Sequence, residues 1–424
     1  MSIPLDRLYQ FIHKVAEKVR NNYVLIYRFT PHGSKNVANL NALQLYCGNY
    51  SLPLSRSYPQ LICHDQEPLD YNMYEQYIAP DKKKNLRAKT PDNIYDKCLL
   101  LHSEQNSAEV LKYKNDCYIP VYYWAHAIIA LDWFRYANYV NIAPTQDQKQ
   151  FLIYNRAWAG TREYRLKFME MLQQSNLVNN CQTSFNAIDP EHNVCYTDYK
   201  FKNKKFKPDS INNTFLTTVA PSHASADFTI TDYANTKFEV VLETLFDDTR
   251  IQLTEKILRP IACGHPFLLA STAGSLKDLQ RYGFKTFNGI IDESYDIEPD
   301  PVTRLQLIIS AMKKITQWSP SEQADNWSQI KEIVAYNKQH FFSSVFFNLV
   351  INELETNLTT AFEELENTNT SRTYIEHRKK CVRLPEYIAG FTAEEEEEFL
   401  KTNTQDRITV LTRARSYYNR FRHF

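Results

Sequence analysis

A chain of 424 residues exceeds one ordinary domain, so two domains, each with its own core, are expected. Lysine plus arginine and aspartate plus glutamate both total 49, which argues against a surface that is cationic throughout and leaves room only for local basic patches. With 8 glycines and no GxGxxG or GxxxxGK[ST] run, ATP hydrolysis and dinucleotide redox chemistry are disfavoured, while 28 tyrosines and 24 phenylalanines favour aromatic-lined surfaces.

Apolar residues at helical spacing (Leu5, Leu8, Phe11, Ile12, Val15, Val19) predict a helix over residues 5–20, followed by a strand at 23–27. Leu61, Ile62 and Cys63 form an apolar run that breaks into His64, Asp65, Gln66, Glu67 and Pro68, the kind of strand end that faces a cleft in an open α/β sheet. A carboxylate there suits deprotonation of an attacking hydroxyl, with Glu67 preferred over Asp65 and His64 an outsider. The structural alternative is a turn whose acids cap backbone N–H groups. Residues 81–89 (DKKKNLRAK) read as a solvated basic connector, 98–101 as a short strand, 107–113 as a helix, and 125–135, reached through 119–124, as an unusually aromatic helix. The polar, proline-containing run at 142–150 marks a domain boundary.

Residues 151–154 read as the first strand of a second domain, ending at Asn155 and Arg156, with a basic helix at 161–172 carrying Arg162 and Arg165. An arginine at a strand end suits a diphosphate, because its planar fork matches phosphate oxygens; the alternative is a pair with a nearby acid such as Glu163. Residues 199–207 (YKFKNKKFK) fit either a polyanion site with stacking aromatics or, preferably, a lysine-guarded edge strand. Residues 227–233 read as a strand and a loop.

The segment 237–287 carries the clearest pattern, strand–helix–strand–helix–strand. An apolar run at 238–242 delivers Glu243, and Thr254 caps a helix opened by Glu255 and Lys256 and closed at Gly264. Lys256 opposes the helix dipole, which invites an anion; solvation or a pair with Asp247 or Asp248 is the alternative. Further helices are expected near 300–318 and over 321–366. A capping box follows at Thr392 and Glu395, and then a tail over 407–424 mixes arginines with aromatics.

The layout of Glu243, a loop, Thr254-Glu255-Lys256 and then Gly264-His265-Pro266-Phe267 resembles the donor-site segment of GT-B glycosyltransferases, most of all alpha-1,3-fucosyltransferases and exostosin-type enzymes. With the GFKTF run at 283–287 it is also similar to phage-encoded glycosyltransferase-like proteins. The resemblance implies an α/β fold of two Rossmann-like domains, an acceptor domain at 1–145 and a nucleotide-sugar domain at 146–345, with a helical C-terminal extension at 346–424. It implies transfer of a sugar from a nucleotide-sugar donor to an acceptor hydroxyl. Asn155 and Arg156 would contact the phosphates, Lys256 with Arg156 would stabilise the departing diphosphate, and Glu255 or Glu243, beside Thr254, would accept from ribose or sugar hydroxyls. No cofactor beyond the donor and no metal are expected, since Asp247-Asp248 is a poor substitute for a DxD motif. The phage likeness, the 199–207 stretch and the C-terminal tail point to hydroxymethylated pyrimidine in DNA as acceptor. Lipopolysaccharide or another glycan is the alternative acceptor, and a non-catalytic GT-B-like binding or virion-associated protein the alternative class. Eight cysteines without a CxxC pair, no run as long as a membrane span and no signal-peptide pattern lead to the expectation of a cytoplasmic protein.

Overall fold

The computed structural model describes residues 98–108, 110, 121–209 and 228–368, together with the strands Leu25–Phe29 (β1), Leu43–Leu45 (β2) and Gln60–His64 (β3). Contacts divide the chain into two units, Met1–Ile129 with Asn348–Gly390, and Ala130–Phe347 with Phe391–Phe424. Both are built on sheets with parallel pairing, and the architecture is mixed α/β.

In the first unit Cys98–His102 (β4) and Val121–Tyr123 (β5) complete a sheet of order β2-β1-β3-β4-β5. Only the β1–β2 pair is antiparallel. Leu100 and Leu101 are fully buried, as the apolar run CLLLH requires of a strand covered on both faces. The helix Ala127–Trp133 (α1) begins just beyond β5. The sequence puts the boundary at 142–150, whereas the contacts divide the chain before Ala130. The residues between pack with the second unit: the Phe134 ring meets Phe228 at 6.2 Å, and Lys338 Nζ donates to Val140 O (3.3 Å).

The second unit runs Lys149–Ile153 (β6), Tyr164–Gln174 (α2), Cys181–Thr183 (β7), the short antiparallel pair Ile188–Asp189 (β8) and Val194–Cys195 (β9), Ile230–Ala234 (α3), Thr236–Leu242 (β10), Glu255–Cys263 (α4), Phe267–Ala270 (β11), Ser275–Arg281 (α5), Pro301–Thr316 (α6) and Pro320–Phe341 (α7). A last helix, Ser344–Thr368 (α8), belongs from Asn348 onward to the first unit, where Asn357 Nδ2 donates to Tyr123 O (2.9 Å) and Tyr122 Oη to Glu364 Oε2 (2.7 Å).

The sheet of this unit has order β11-β10-β6-β7, with every pair parallel. From β6 the chain moves outward to β7 and then returns past β6 to β10 and β11. The direction of winding therefore reverses between β6 and β10, a topological switch point, beside which the carboxyl ends of strands leave a crevice for ligands.

Of the strand–helix–strand–helix–strand reading of 237–287, the first four elements are present as β10, α4, β11 and α5, whereas residues 284–287 form no strand. Thr254 Oγ1 accepts from Lys256 N (3.2 Å) at the start of α4. At its end Gly264 is left-handed (φ 69°), His265 N donates to Pro260 O and Gly264 N to Ile261 O, a Schellman closure. Two other expectations are corrected. The segment read as a strand and loop at 227–233 contains the helix α3, which turns Tyr233 inward so that its hydroxyl donates to buried Glu239 (2.5 Å). Residues 199–207 form neither an edge strand nor a stacking platform. Tyr199 and Phe201 pack on Trp158 (5.2 and 6.5 Å), and Phe206 is buried beside Tyr164 (6.4 Å).

His265 lies 4.8 Å from the Tyr233 ring, edge to face, and its Nε2 is buried without a hydrogen-bond partner. Burial pushes its imidazole down from 6.5 to about 3. A depressed folded value means that the neutral ring's contribution is intact above the unfolded value and is lost as pH falls from 6.5 towards about 3. Urea unfolding should therefore lose about 2 kcal/mol from this residue between pH 6.5 and about pH 5. His265→Phe should flatten that slope; an unchanged slope in the variant would show that other groups set it.

Candidate functional site

The carboxyl ends of β6 and β10 are joined by one buried side chain, Arg165 of α2. Its Nη1 donates to Asn155 Oδ1 (3.1 Å) and Ala157 O (2.7 Å), and its Nη2 to Leu242 O (2.8 Å) and Glu243 O (3.1 Å). The neighbouring Tyr164 hydroxyl also donates to Glu243 O (2.6 Å). Arg165 is thus a structural bridge across the switch point. Asn155 is spent holding it. Arg304 of α6 acts in the same way one strand further out, donating to Phe246 O (2.6 Å) and Ser271 O (3.1 Å).

At the end of β10 Glu243 is fully buried, and both its oxygens serve Thr254. Thr254 N donates to Oε1 (3.1 Å) and Thr254 Oγ1 to Oε2 (2.6 Å). A carboxylate therefore fixes the loop end that starts α4, which explains why an acid follows this strand. Lys256 Nζ donates to Thr244 Oγ1 (3.2 Å), Thr254 Oγ1 (3.2 Å) and Glu255 Oε1 (3.1 Å), and lies 4.0 Å from Glu243 Oε2. Its expected partners Asp248 and Asp247 are engaged elsewhere, with Arg250 and with Asn203 Nδ2. The ammonium that was expected to face an anion thus turns to carboxylates of its own chain. Glu243, Glu255 and Lys256 together carry one formal negative charge in excess, a setting that suits hydroxyl groups better than phosphate.

At the end of β6 the balance is reversed. Arg156 and Arg162 both pair with Glu191, which follows β8, so that two guanidinium groups share one carboxylate. Glu163, the acid expected beside Arg156, instead accepts from Lys202 N (2.8 Å), Asn203 N (3.0 Å) and the Tyr199 hydroxyl (3.0 Å). Burial raises the Glu191 carboxyl, but Arg162 and Arg156 outweigh it and hold the group at about 2. Asp189 anchors the same loop. It accepts from Trp158 N (2.7 Å), Ala159 N (2.9 Å), Glu191 N (3.0 Å) and His192 N (2.9 Å), and these bonds offset its burial to keep its carboxyl at about 2.

Asp65 and Glu67, the expected bases, lie outside the described residues. A cleft of about 710 Å³ lies away from both strand ends, between α5 and residues 288–297, lined by Lys277, Asn288, Asp292, Glu293 and Asp296 among others. Two of its acids hold local backbone: Asp296 accepts from Leu276 N (2.9 Å) and Lys277 N (3.3 Å), and Glu293 from Phe287 N (2.7 Å). Burial pushes both carboxyls up. Among the described residues no group of three or more His, Cys, Asp or Glu side chains is placed to hold a metal ion, and no helix is long and apolar enough to cross a membrane.

Replacing Arg165 by methionine removes a donor from four buried oxygens, one of which, Glu243 O, keeps the Tyr164 hydroxyl. It should cost at least about 3 kcal/mol in denaturant unfolding. A loss below about 1 kcal/mol would show that water or neighbouring groups replace the bridge. We find no match of the chain to a protein-family profile, to a curated protein or to a solved structure.

Proposed function

We propose that the chain is a nucleotide-sugar-dependent glycosyltransferase of the GT-B kind, with two Rossmann-like domains and the donor held mainly by the second unit. The observation that carries this reading is the strand order β11-β10-β6-β7: its switch point lies between β6 and β10, whose ends lead into Arg156 and Arg162 on one side and Glu243, Thr254, Glu255 and Lys256 on the other. The two arginines after β6 suit a diphosphate, and carboxylates after β10 suit sugar or ribose hydroxyls. In the transfer the anomeric C–O bond breaks with its electron pair passing to the diphosphate, while the acceptor oxygen bonds to that carbon and yields its proton to a base. Asp65 and Glu67 are the candidate bases. Arginines fixed before the reaction stabilise the charge that develops on the leaving group. Hydroxymethylated pyrimidine in DNA is the proposed acceptor, with lipopolysaccharide or another glycan as the alternative.

A second reading, a non-catalytic binding protein of the same fold, is favoured by one observation: the Lys256 ammonium is already committed to Thr244, Thr254 and Glu255. A panel of nucleotide sugars incubated with the protein separates the two. The enzyme reading expects slow hydrolysis of one donor with release of a nucleoside diphosphate, unaffected by chelation, and a fall of about 10²-fold in Arg156→Ala. Absence of hydrolysis across the panel, with thermal stabilisation by a nucleoside diphosphate, supports the binding reading. Loss on chelation restored by manganese contradicts metal independence. Duplex DNA binding that weakens steeply with salt favours the DNA acceptor.

A further inference from the structure

We propose that Arg156 and Arg162 form a two-guanidinium clamp for a phosphoryl anion, a diphosphate in particular, on which Glu191 sits as an internal stand-in that the incoming anion displaces. The proposal rests on the donor reading for the choice of diphosphate, and it adds Arg162 and a gating carboxylate to that site. Arg156 follows the end of β6, and Arg162 ends the single 3-10 turn Gly160–Arg162. The two reach different oxygens of one carboxylate, Arg156 Nη2 to Glu191 Oε1 and Arg162 Nη2 to Glu191 Oε2. Two forks meeting on one small anion from two sides is the arrangement that a phosphate, with more oxygens and more charge, fills better than a carboxylate.

The two acids of this loop have separable tasks. Asp189 is fully buried and takes four backbone N–H groups, so it sets the path of residues 158–159 and 191–192 and cannot leave without breaking that path. The Glu191 carboxylate is held by the two guanidinium groups alone. Rotation of its side chain, which is 16% exposed, releases it to water while its backbone N–H stays on Asp189. Arg156, at 38% side-chain exposure, gives solvent and a ligand a way in. Departure of Glu191 takes one negative charge from between the two guanidinium groups, which is when the clamp attracts a diphosphate most strongly. Glu191 thereby lowers affinity for weak anions and reserves the clamp for highly charged ones.

Isothermal titration of the full chain with inorganic pyrophosphate tests this. Glu191→Gln keeps the side chain's size and removes its charge, so pyrophosphate should bind about tenfold more tightly than to the wild type. Adding Arg162→Gln to that variant should abolish the gain. If Glu191 is only a structural brace, E191Q lowers the thermal midpoint and binds pyrophosphate no better than wild type, and the proposal is overturned. Should E191Q fail to fold, Glu191→Asp, too short to span both arginines, must show tighter binding in its place, and unchanged binding overturns the proposal equally. Tighter pyrophosphate binding by E191Q without turnover of any nucleotide sugar upholds the clamp and refutes the donor reading. Turnover of a nucleotide sugar without that gain upholds the donor reading and refutes the gate.

Discussion

The arrangement of the second unit depends on the Arg165 guanidinium. A parallel sheet leaves backbone carbonyls exposed where its strands end, and at a switch point two such ends diverge with no third strand to close the gap. Arg165 fills that place, taking carbonyls from the ends of both β6 and β10 together with the Asn155 amide. Because the side chain is buried, each of its bonds acts in a medium where losing a partner is costly. Arg156 lies between two of these contacts and Glu243 is itself one, so the backbone that carries both is held by it. Arg304 repeats the device at the next crossover, so the carboxyl edge of this sheet is held by cations whose charge is spent on carbonyl dipoles.

With those two arginines committed to structure, the charge left around the crevice divides unevenly. The β6 side has two guanidinium groups against Glu191, and the β10 side has one ammonium against Glu243 and Glu255. A ligand with a phosphorylated end and a hydroxyl-rich end matches that division, which is the chemical description of a nucleotide sugar. Lys256, expected together with Arg156 to meet the diphosphate, is bonded to Thr244, Thr254 and Glu255 of its own chain.

The parts of this arrangement legible in the sequence are those whose cause is local. Thr254 as cap, Gly264 as closure and the apolar runs at 238–242 and 266–270 announce β10, α4 and β11 because each signal and its effect lie within a few residues. Residues 227–233 were misleading because Phe228, Thr229, Ile230 and Thr231 favour strands, while the helix is fixed by the bond from Tyr233 to Glu239 and by the bond from Tyr154 to Asp232. The alternation of aromatic residues and lysines at 199–207 imitates a strand, although Tyr199 and Phe201 pack on Trp158 and Phe206 on Tyr164 and Phe246. Arg165 and Glu191 gave no signal, since their partners lie as far as 78 and 35 residues away. A charged side chain on a helix does not announce which way it faces.

The central claim is that a diphosphate-bearing ligand enters the crevice at the switch point. Hydrogen–deuterium exchange of the full chain with and without a saturating nucleoside diphosphate reads this at the backbone. The account predicts slowed exchange confined to residues 155–162, 189–192 and 243–256. Protection confined to residues 276–297, around the cleft beside α5, or no change at either strand end, would contradict it.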